Sequence, residues 1–276
     1  MRLAFCACAA LCFSACGGGS SPVSPTPAPP AAASITVTLA SIVKVKQTVN
    51  ATATISSGGS SHAASTGWTS DTPAVAKVTD GGAVTGVSNG RATISISAEG
   101  GRGQQSIRVV PDYQGQWQGT YAVGDCTQTG DFARLGFCAA LTAETGGSLP
   151  VLFRMSQDGA SITGTFVLGV LESTSYASAI DADGAATFSG SASASNQTTI
   201  QVDWKVEATG ADADSLTGDY TQTWRTASLS GTGQVTGKLS QVVRVSSTTS
   251  LRPAGMRPGS SPARGGTLRD LIRLIR

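Results

Sequence analysis

Few side chains in this sequence have the types and spacing that acid–base or nucleophilic chemistry requires. His62 is the only histidine, and it lies in a Gly/Ser-rich turn between Gly58 and Ser65. One histidine cannot build a multi-histidine metal site, and a Ser-His-Asp triad would have to take its base from this turn. We therefore expect His62 to be a polar loop residue.

Carboxylates form two small groups that could bind a cation or transfer protons. Asp181-Ala182-Asp183-Gly184 is similar to the start of a calcium loop, with Asp212 and Asp214 further along, but the later ligands of such a loop are absent. Asp203 and Glu207 lie on the polar face of one predicted strand, where a carboxylate pair could do glycosidase-type work. Hairpin turns and solvent exposure explain both groups better. We predict no catalytic residues, no metal site and no cofactor.

Two cysteines remain once the N-terminal segment is set aside. Cys126 and Cys138 flank a predicted loop that follows the first strand of the second half of the chain. In an oxidising compartment two nearby cysteines form a disulfide, which stabilises a loop of this size by about 3 kcal/mol. The sequence contains no Cys-x-x-Cys redox pair. We predict a Cys126–Cys138 disulfide, with a reactive thiol as the alternative.

The composition is typical of an exported, all-β chain. The length of 276 residues leaves room for two ordinary domains. Only 13% of the residues are charged, and the sequence is rich in glycine. Without Arg2 and residues 251–276, the chain holds 12 basic and 16 acidic residues, a net charge of −4. This balance, without a basic groove and interleaved aromatic residues, excludes nucleic acid as a predicted partner.

Residues 1–16 have the features of an export signal. Arg2 precedes the apolar run from Leu3 to Phe13, which is too short to span a bilayer. The junction Phe13-Ser14-Ala15-Cys16 resembles the bacterial lipobox, with Phe in place of the usual Leu at its first position. The resemblance implies that Cys16 receives a diacylglyceryl group and anchors the protein in the bacterial cell envelope, at the outer membrane or cell surface. An ordinary cleaved signal with a coincidental cysteine is the alternative.

Both ends of the chain lack the pattern of a folded domain. Residues 17–33 are rich in Gly, Ser and Pro and indicate a spacer between the anchor and the first domain. Residues 248–276 form a Pro/Arg-rich tail, and residues 251–276 hold six arginines and one aspartate. Within the tail, residues 267–276 could form a short amphipathic helix that lies on an anionic membrane or partner. A tail without function is the alternative.

Residues 34–111 alternate between apolar and polar side chains, which predicts half-buried strands. The pattern from Trp68 to Val78, then Gly82 to Val87, then Gly90 to Ile94 resembles the bacterial immunoglobulin-like group 2 domain. The resemblance implies an Ig-like β-sandwich with Trp68 in or near the core. Surface proteins use this module as a spacer or an adhesive unit, although one fold serves many functions.

Residues 112–247 continue the alternation with longer strands. In four of these strands a glycine lies between two large apolar residues on the same face, at Gly119, Gly164, Gly218 and Gly237. Glycine inside a strand is costly unless the sheet bends sharply or another group approaches closely. We therefore predict an antiparallel meander closed as a barrel of about eight strands. The predicted strands are 115–123, 149–157, 161–169, 173–180, 185–192, 198–209, 215–225 and 233–245.

Gly115-Gln116-Trp117 resembles the Gly-x-Trp motif that begins lipocalin-type barrels. That resemblance implies that Arg244 packs over Trp117. An outer-membrane barrel, with its apolar face in lipid and aromatic girdles, is the alternative, but aromatic residues are only 5% of the chain. If the interior is open, we expect a ligand cavity lined by large inward-facing residues, namely Trp117, Tyr121, Phe166, Trp204, Tyr220 and Trp224.

These features predict a non-enzymatic, lipid-anchored envelope protein with a binding or display role. Its Ig-like module would present a small β-barrel that binds an envelope protein partner or a small apolar ligand. A purely structural or adhesive surface stalk is the first alternative. An envelope hydrolase is the second, disfavoured because the polar groups lack a base and a nucleophile.

Overall fold

The computed structural model of the chain describes residues 33–169, 171–194, 197–209 and 214–245. The predicted export signal with Cys16, most of the linker, the tail and its helix at 267–276 lie outside these residues. Strands make up nearly all of the regular structure, so the predicted all-β class is confirmed.

The first ten strands form the Ig-like domain. The strands are β1 (Ser34–Thr38), β2 (Ile42–Lys44), β3 (Thr48–Asn50), β4 (Thr52–Ser57), β5 (Ser60–Ala64), β6 (Trp68–Ser70), β7 (Ala76–Val78), β8 (Ala83–Gly86), β9 (Gly90–Ala98) and β10 (Gly101–Val110). The four-stranded sheet of this domain has the order β2-β10-β9-β6, and two three-stranded sheets have the orders β1-β4-β5 and β3-β8-β7.

The alternating pattern puts one side of each strand in the core of this domain. Trp68 is only 5% exposed and packs with Ile94 and Ile96, which are fully buried. The predicted core position of Trp68 is confirmed. His62, in contrast, lies within β5 and not in a turn, and its Nε2 is 2.8 Å from Oε1 of Glu99. Both of these side chains are about half exposed.

The second domain is one antiparallel sheet of nine strands. The strands are β11 (Gly115–Gln128), β12 (Ser148–Asp158), β13 (Ser161–Leu168), β14 (Leu171–Glu172), β15 (Tyr176–Ala179), β16 (Ala185–Ser193), β17 (Thr198–Thr209), β18 (Ser215–Thr226) and β19 (Gly233–Val245). The main path of the sheet has the order β14-β13-β12-β11-β19-β18-β17-β16, so that β11 and β19, the first and last strands in the sequence, are neighbours, and β15 pairs with β13.

This sheet is not closed into a barrel, so the predicted closure is wrong. The predicted strand 173–180 is reduced to short β15, because pairing is interrupted after β14. Between residues 173–180 and β16 there is no ladder but two isolated bridges, Ser173 to Ala192 and Ile180 to Ala186. We call this join between 173–180 and β16 the seam.

The predicted loop between the first two strands of this domain is wrong, since the segment is helical. Helices α1 (Gly130–Arg134) and α2 (Phe137–Thr145) follow β11, and they bury Phe132, Phe137 and Leu141 in the core of the second domain. Cys126 and Cys138 form a disulfide with Cα atoms 5.7 Å apart, as predicted. The disulfide therefore ties the start of α2 to β11.

The strand glycines lie where another group approaches closely. A Cβ atom at Gly237 would be 2.9 Å from the Tyr220 ring and 2.0 Å from the carbonyl oxygen of Ala122. Gly119 and Gly218 lie at register shifts on either side of β19. The glycine pattern thus reflects close packing and bulges, without requiring closure.

The apolar face of the second domain points inward. In β17, Val202, Trp204 and Val206 are buried, whereas Asp203 and Lys205 between them are exposed. We use interior for the space on the inward-facing side of strands β11–β19, which their buried side chains fill. None of the helices in the described part of the chain is long and apolar enough to cross a membrane.

Candidate ligand-binding site

All six predicted cavity residues face the interior and belong to one hydrophobic cluster. None of them is more than 3% exposed. We describe their rings by three levels. Trp117 lies at the end near the Ig-like domain, Trp204 and its neighbours form the middle level, and Trp224 lies at the end covered by α1 and α2. The interior is thus occupied by side chains along its length.

Trp204 is the centre of the middle level. Its ring centroid lies 5.0 Å from Phe153, 5.4 Å from Tyr220 and 5.6 Å from Phe166. The ring of Tyr121 meets it edge-on at 6.1 Å. Three of the other predicted residues are therefore brought together around the Trp204 indole, and Phe153 joins them although sequence reasoning did not select it.

Tyr176 and Phe188 complete the middle level and were also missed. They lie on β15 and β16, on opposite sides of the seam, and their rings stack at 4.0 Å with an angle of 12° between planes. Burial raises the pKa of Tyr176, whose hydroxyl has no hydrogen-bond partner among the described residues. A signal was available for Phe188, which lies between the polar residues Thr187 and Ser189 in a predicted strand, whereas the alternation at Phe153 is broken by Leu152.

Trp224 lies at the helical end. Its ring centroid is 5.4 Å from that of Phe137 in α2, and its Nε1 donates a hydrogen bond of 3.2 Å to Oε1 of Gln222. Gly233 lies beneath the same Phe137, where a Cβ atom would be only 2.4 Å from the ring. Aromatic packing by α2 therefore covers this end of the interior.

Trp117 lies at the opposite end, and the guanidinium of Arg244 stacks on its ring at 4.3 Å from the centroid. The predicted packing of Arg244 over Trp117 is confirmed. The indole Nε1 donates to the carbonyl oxygen of Tyr113 at 2.9 Å. Arg244 also donates to the carbonyl oxygens of Asp112 and Gln114, which fixes the chain entering β11.

Among the described residues, Trp204 Nε1 and Tyr176 Oη meet no hydrogen-bond partner inside the cluster, whereas the Tyr121 hydroxyl and the Gln222 amide interact with each other. Burial raises the pKa of the Tyr121 hydroxyl, and the neighbouring Gln222 amide offsets part of that increase. An unpartnered buried polar group costs about 1–3 kcal/mol, so such groups are uncommon in native cores. Sequence reasoning missed Gln222, although it interrupts the inward apolar row of β18 between Tyr220 and Trp224.

The carboxylates considered for chemistry do not converge. The Asp181 carboxylate accepts hydrogen bonds from the backbone N–H groups of Asp183 and Ala185, which is a turn-forming role. Asp203 accepts a hydrogen bond from Ser189 on the outer face of the sheet. No group of His, Cys, Asp and Glu side chains within the described ranges could hold a metal ion, and Asp212 lies outside those ranges.

An open depression of about 580 Å³ lies on the outside of the sheet, where β11, β18 and β19 meet. Tyr220 and Gly237, which also belong to the wall of the interior, contribute to its lining. Asp219 and Lys238 line it as well, with their charged groups 3.7 Å apart and largely exposed.

Comparison with known proteins identifies one domain. Residues 31–109 match the bacterial Ig-like domain (group 2), so the first domain belongs to that family. No curated protein matches the chain. A solved structure titled "REP1-NXSQ fatty acid transporter" is 11% identical with a TM-score of 0.17, covering 48% of this chain and 96% of its own.

A second solved structure, domains 4–9 of the surface layer protein SbsC, is 14% identical with a TM-score of 0.25. The match covers 73% of this chain and 46% of that solved chain, so this chain spans less than half of its length.

Proposed function

We propose that this chain is a lipid-anchored protein of the bacterial cell envelope that displays its second domain in a fixed orientation on an Ig-like module. The role is one of binding or display and not of catalysis. The observation that carries the proposal is the junction between the two domains, which is a packed interface and not a flexible tether.

Side chains of the Ig-like domain bond directly to the turn between β15 and β16. Arg108 donates to the carbonyl oxygens of Ile180, at 3.0 Å, and Asp181. Asn89 donates to the carbonyl oxygen of Ala182 at 3.2 Å. These bonds hold one rim of the second domain against β9 and β10.

The connecting residues are themselves part of the second core. Tyr113 is fully buried, its hydroxyl donates to the carbonyl oxygen of Gly184 at 2.7 Å, and it accepts the N–H of Ala208 at 3.1 Å. Val110, the last residue of β10, belongs to the hydrophobic cluster of the second domain. An ion pair of 3.1 Å between Lys44 and Asp112 adds a further link. Residues 33–245 thus belong to one compact unit.

Three further observations support an envelope location. The first domain belongs to a family that is common in surface proteins. The Cys126–Cys138 disulfide suits an oxidising compartment. The sequence before the first domain has a lipobox-like junction at Cys16 and a spacer that would lift the domains away from a membrane.

The anchor is tested by expressing the full precursor with Cys16→Ala in a bacterial host supplied with labelled palmitate. Cys12→Ala is the matched control, because Cys12 lies in the same apolar run. We expect label and membrane sedimentation in the wild type and the control, and loss of both in Cys16→Ala. Protease treatment of intact cells then tests surface exposure. A Cys16→Ala protein that keeps its label would overturn the proposal.

A further inference from the structure

We propose that the Asn89-Gly90 peptide is a deamidation site that the domain junction protects, and that its conversion to aspartate or isoaspartate loosens the junction irreversibly. The inference goes beyond the display role, although it rests on the same junction that carries that role. Water is the co-reactant and ammonia is the leaving group. The chain thus carries a modification site that records whether its two domains have stayed together.

The dipeptide has the chemistry that this reaction needs. Glycine has no side chain to hinder its own nitrogen, so an asparagine followed by glycine is the most reactive pair. The Gly90 nitrogen attacks Cγ of Asn89 and forms an N–Cγ bond, while the Cγ–Nδ2 bond breaks and ammonia leaves with the proton that the Gly90 nitrogen loses. Water then opens the cyclic imide. Opening at Cγ gives aspartate, and opening at the main-chain carbonyl gives isoaspartate.

The fold requires the glycine of this pair. Gly90 begins β9 with a φ of 149°, in the region that favours glycine. A Cβ atom on it would be 3.0 Å from a methyl group of Val75. Of the three asparagines in the sequence, only Asn89 precedes a glycine. The reactive pair is therefore a consequence of how the chain enters β9.

The junction fixes the Asn89 side chain in one orientation. Its Nδ2 donates to the carbonyl oxygen of Ala182 at 3.2 Å, and because that oxygen can only accept, the nitrogen and oxygen of the amide are distinguished. The amide also lies against Gly184, where a Cβ atom would be 3.0 Å from both Cγ and Nδ2. Cyclisation requires Cγ to swing towards the Gly90 nitrogen, so these two contacts must break first.

The Asn89 amide oxygen lacks the stabilisation that the reaction needs. Oδ1 is buried and meets no hydrogen-bond donor among the described residues. Attack on Cγ places negative charge on this oxygen, and an unpaired charge in a buried position is strongly unfavourable. Opening of the junction would expose Oδ1 to water, which stabilises the charge. The closed junction therefore protects Asn89 through a fixed side chain and through a dry oxygen.

The aspartate product cannot restore these contacts. A carboxylate has no hydrogen to donate, so it faces the carbonyl oxygen of Ala182 without a bond. The turn that it meets already carries Asp181 and Asp183, and a third like charge adds repulsion. Arg108 is the cation at this contact, but its guanidinium is engaged with the carbonyl oxygens of Ile180 and Asp181. The reacted junction is therefore weaker than the original one.

The isoaspartate product disturbs the strand as well. It lengthens the main chain by one atom between Ser88 and Gly90. Gly90 pairs with Val109 at the start of β9, and the Ser88 hydroxyl is held by the carbonyl oxygen of Ala74 at 2.7 Å. The extra atom must be absorbed between these two fixed points, so the reacted chain does not return to the original junction.

Peptide mapping by mass spectrometry measures the reaction in the full mature chain carrying Cys16→Ser, incubated in mildly alkaline buffer. A synthetic peptide of residues 84–95 gives the rate without protection, and Asn50, which precedes Ala51, is the internal control in each digest. We expect Asn89 to react far more slowly in the folded wild type than in the peptide. Enzymatic methylation of isoaspartate identifies that product.

Two arginine variants on β10 test whether the junction is the protecting element. Arg108→Ala removes the bonds to the β15–β16 turn and should speed the reaction of Asn89 roughly tenfold, the usual effect of losing a charge-assisted hydrogen bond. Arg102→Ala is the matched control, because Arg102 donates to Ser95 within the Ig-like domain, and it should leave the rate unchanged. Near-UV circular dichroism checks folding, and Arg108→Lys replaces an Arg108→Ala protein that does not fold.

Substitution of Asn89 itself tests the effect on the junction. Asn89→Asp reproduces one product of the reaction, whereas Asn89→Ala loses the hydrogen bond without gaining a charge. Spin labels at the exposed positions His62 and Thr187 report the distance between the two domains. We expect the distance distribution to broaden in both variants, and more in Asn89→Asp.

Three results would overturn the inference. Equal rates in the wild type and the peptide would show that Asn89 is not protected. An unchanged rate in the Arg108 variant would place the protection outside the junction. A distribution in Asn89→Asp as narrow as that of the wild type would show that the product leaves the junction intact. The fixed orientation of the display role is tested separately, because it fails when the wild-type distribution is already broad.

Discussion

Arg244 in the last strand of the second domain covers the ring of Trp117 in its first strand, with the guanidinium carbon 4.3 Å from the ring centroid. The same guanidinium donates to the carbonyl oxygens of Asp112 and Gln114. A single side chain therefore joins the two strands and the segment that enters from the Ig-like domain. Lysine could not replace it, because a compact ammonium lacks the planar fork that stacks and donates at once.

We expect Arg244→Ala to lower the free energy of unfolding by about 2–3 kcal/mol, since it removes charge-assisted hydrogen bonds and a cation–π contact. Arg244→Lys should recover only part of the loss. Urea denaturation followed by tryptophan fluorescence measures both. Arg225→Ala, on the exposed face of β18, is the control and should change stability little. Equal effects at the two positions would contradict this account of Arg244.

Loss of the junction contacts should free the two domains to move relative to each other. Arg108→Ala removes the bonds to the β15–β16 turn, and Tyr113→Phe leaves the N–H of Ala208 without its partner. We expect Tyr113→Phe to cost about 2 kcal/mol. Spin labels at His62 and Thr187, both exposed, should give a narrow distance distribution that broadens in the double variant. A broad distribution already present in the wild type would refute the fixed orientation.

Asp131 predicts a pH dependence at the helical end. Hydrogen bonds from Ser230, first from its backbone N–H, and contact with Arg134 lower the pKa of the Asp131 carboxyl to about 2. Since the folded-state pKa lies below the ordinary value of 3.8, the stabilisation is complete above that value and is lost as the pH falls towards 2. Asp131→Asn should therefore be less stable than wild type at pH 7, with the difference vanishing near pH 2. A constant difference between these two pH values would contradict the assignment.

Reduction of the disulfide should loosen α2. The bond closes a short loop, so removing it by Cys126→Ser with Cys138→Ser should cost about 3 kcal/mol. We expect dithiothreitol to lower the urea midpoint of the wild type to that of the double variant and to leave the variant unchanged. Amide hydrogen exchange should rise in α2, while β17 keeps its protection. Identical midpoints before and after reduction would show that other contacts hold the helix.

The seam should be the first part of the second domain to open. Backbone amides of β15 and the facing residues of β16 should exchange faster than those in the centres of β17 and β18, which are paired on both sides. Hydrogen exchange read by mass spectrometry or NMR tests this ranking. Faster exchange between β11 and β19 than at the seam would contradict this prediction.

Local patterns predicted the strands well and the closure badly. Alternation around Trp204 sets both the strand and its inward face, because period two is a property of the segment itself. Closure would require a continuous ladder between residues 173–180 and β16 in place of two isolated bridges, and no local pattern contains that pairing. Helix α2 escaped notice because only Phe137 and Leu141 mark its buried side.

The candidate site was likewise predicted only in part. Its rings could be predicted because large apolar residues at alternate positions must share a face. The burial of Gln222 could not be predicted, because a polar residue in a strand is ordinarily exposed and only its packed neighbours Tyr220 and Trp224 determine that it faces inward.

The pairing of β11 with β19 sets an order of events during synthesis. The ribosome delivers the amino end first, so the partner of Gln116 and Trp117, at Val245 and Arg244, is the last part of the sheet to emerge. Until then one edge of β11 stays bare and the newly delivered strands are open to mispairing with other chains. Truncation of the final ten residues of β19 would remove most of this partner and leave the edge of β11 permanently bare.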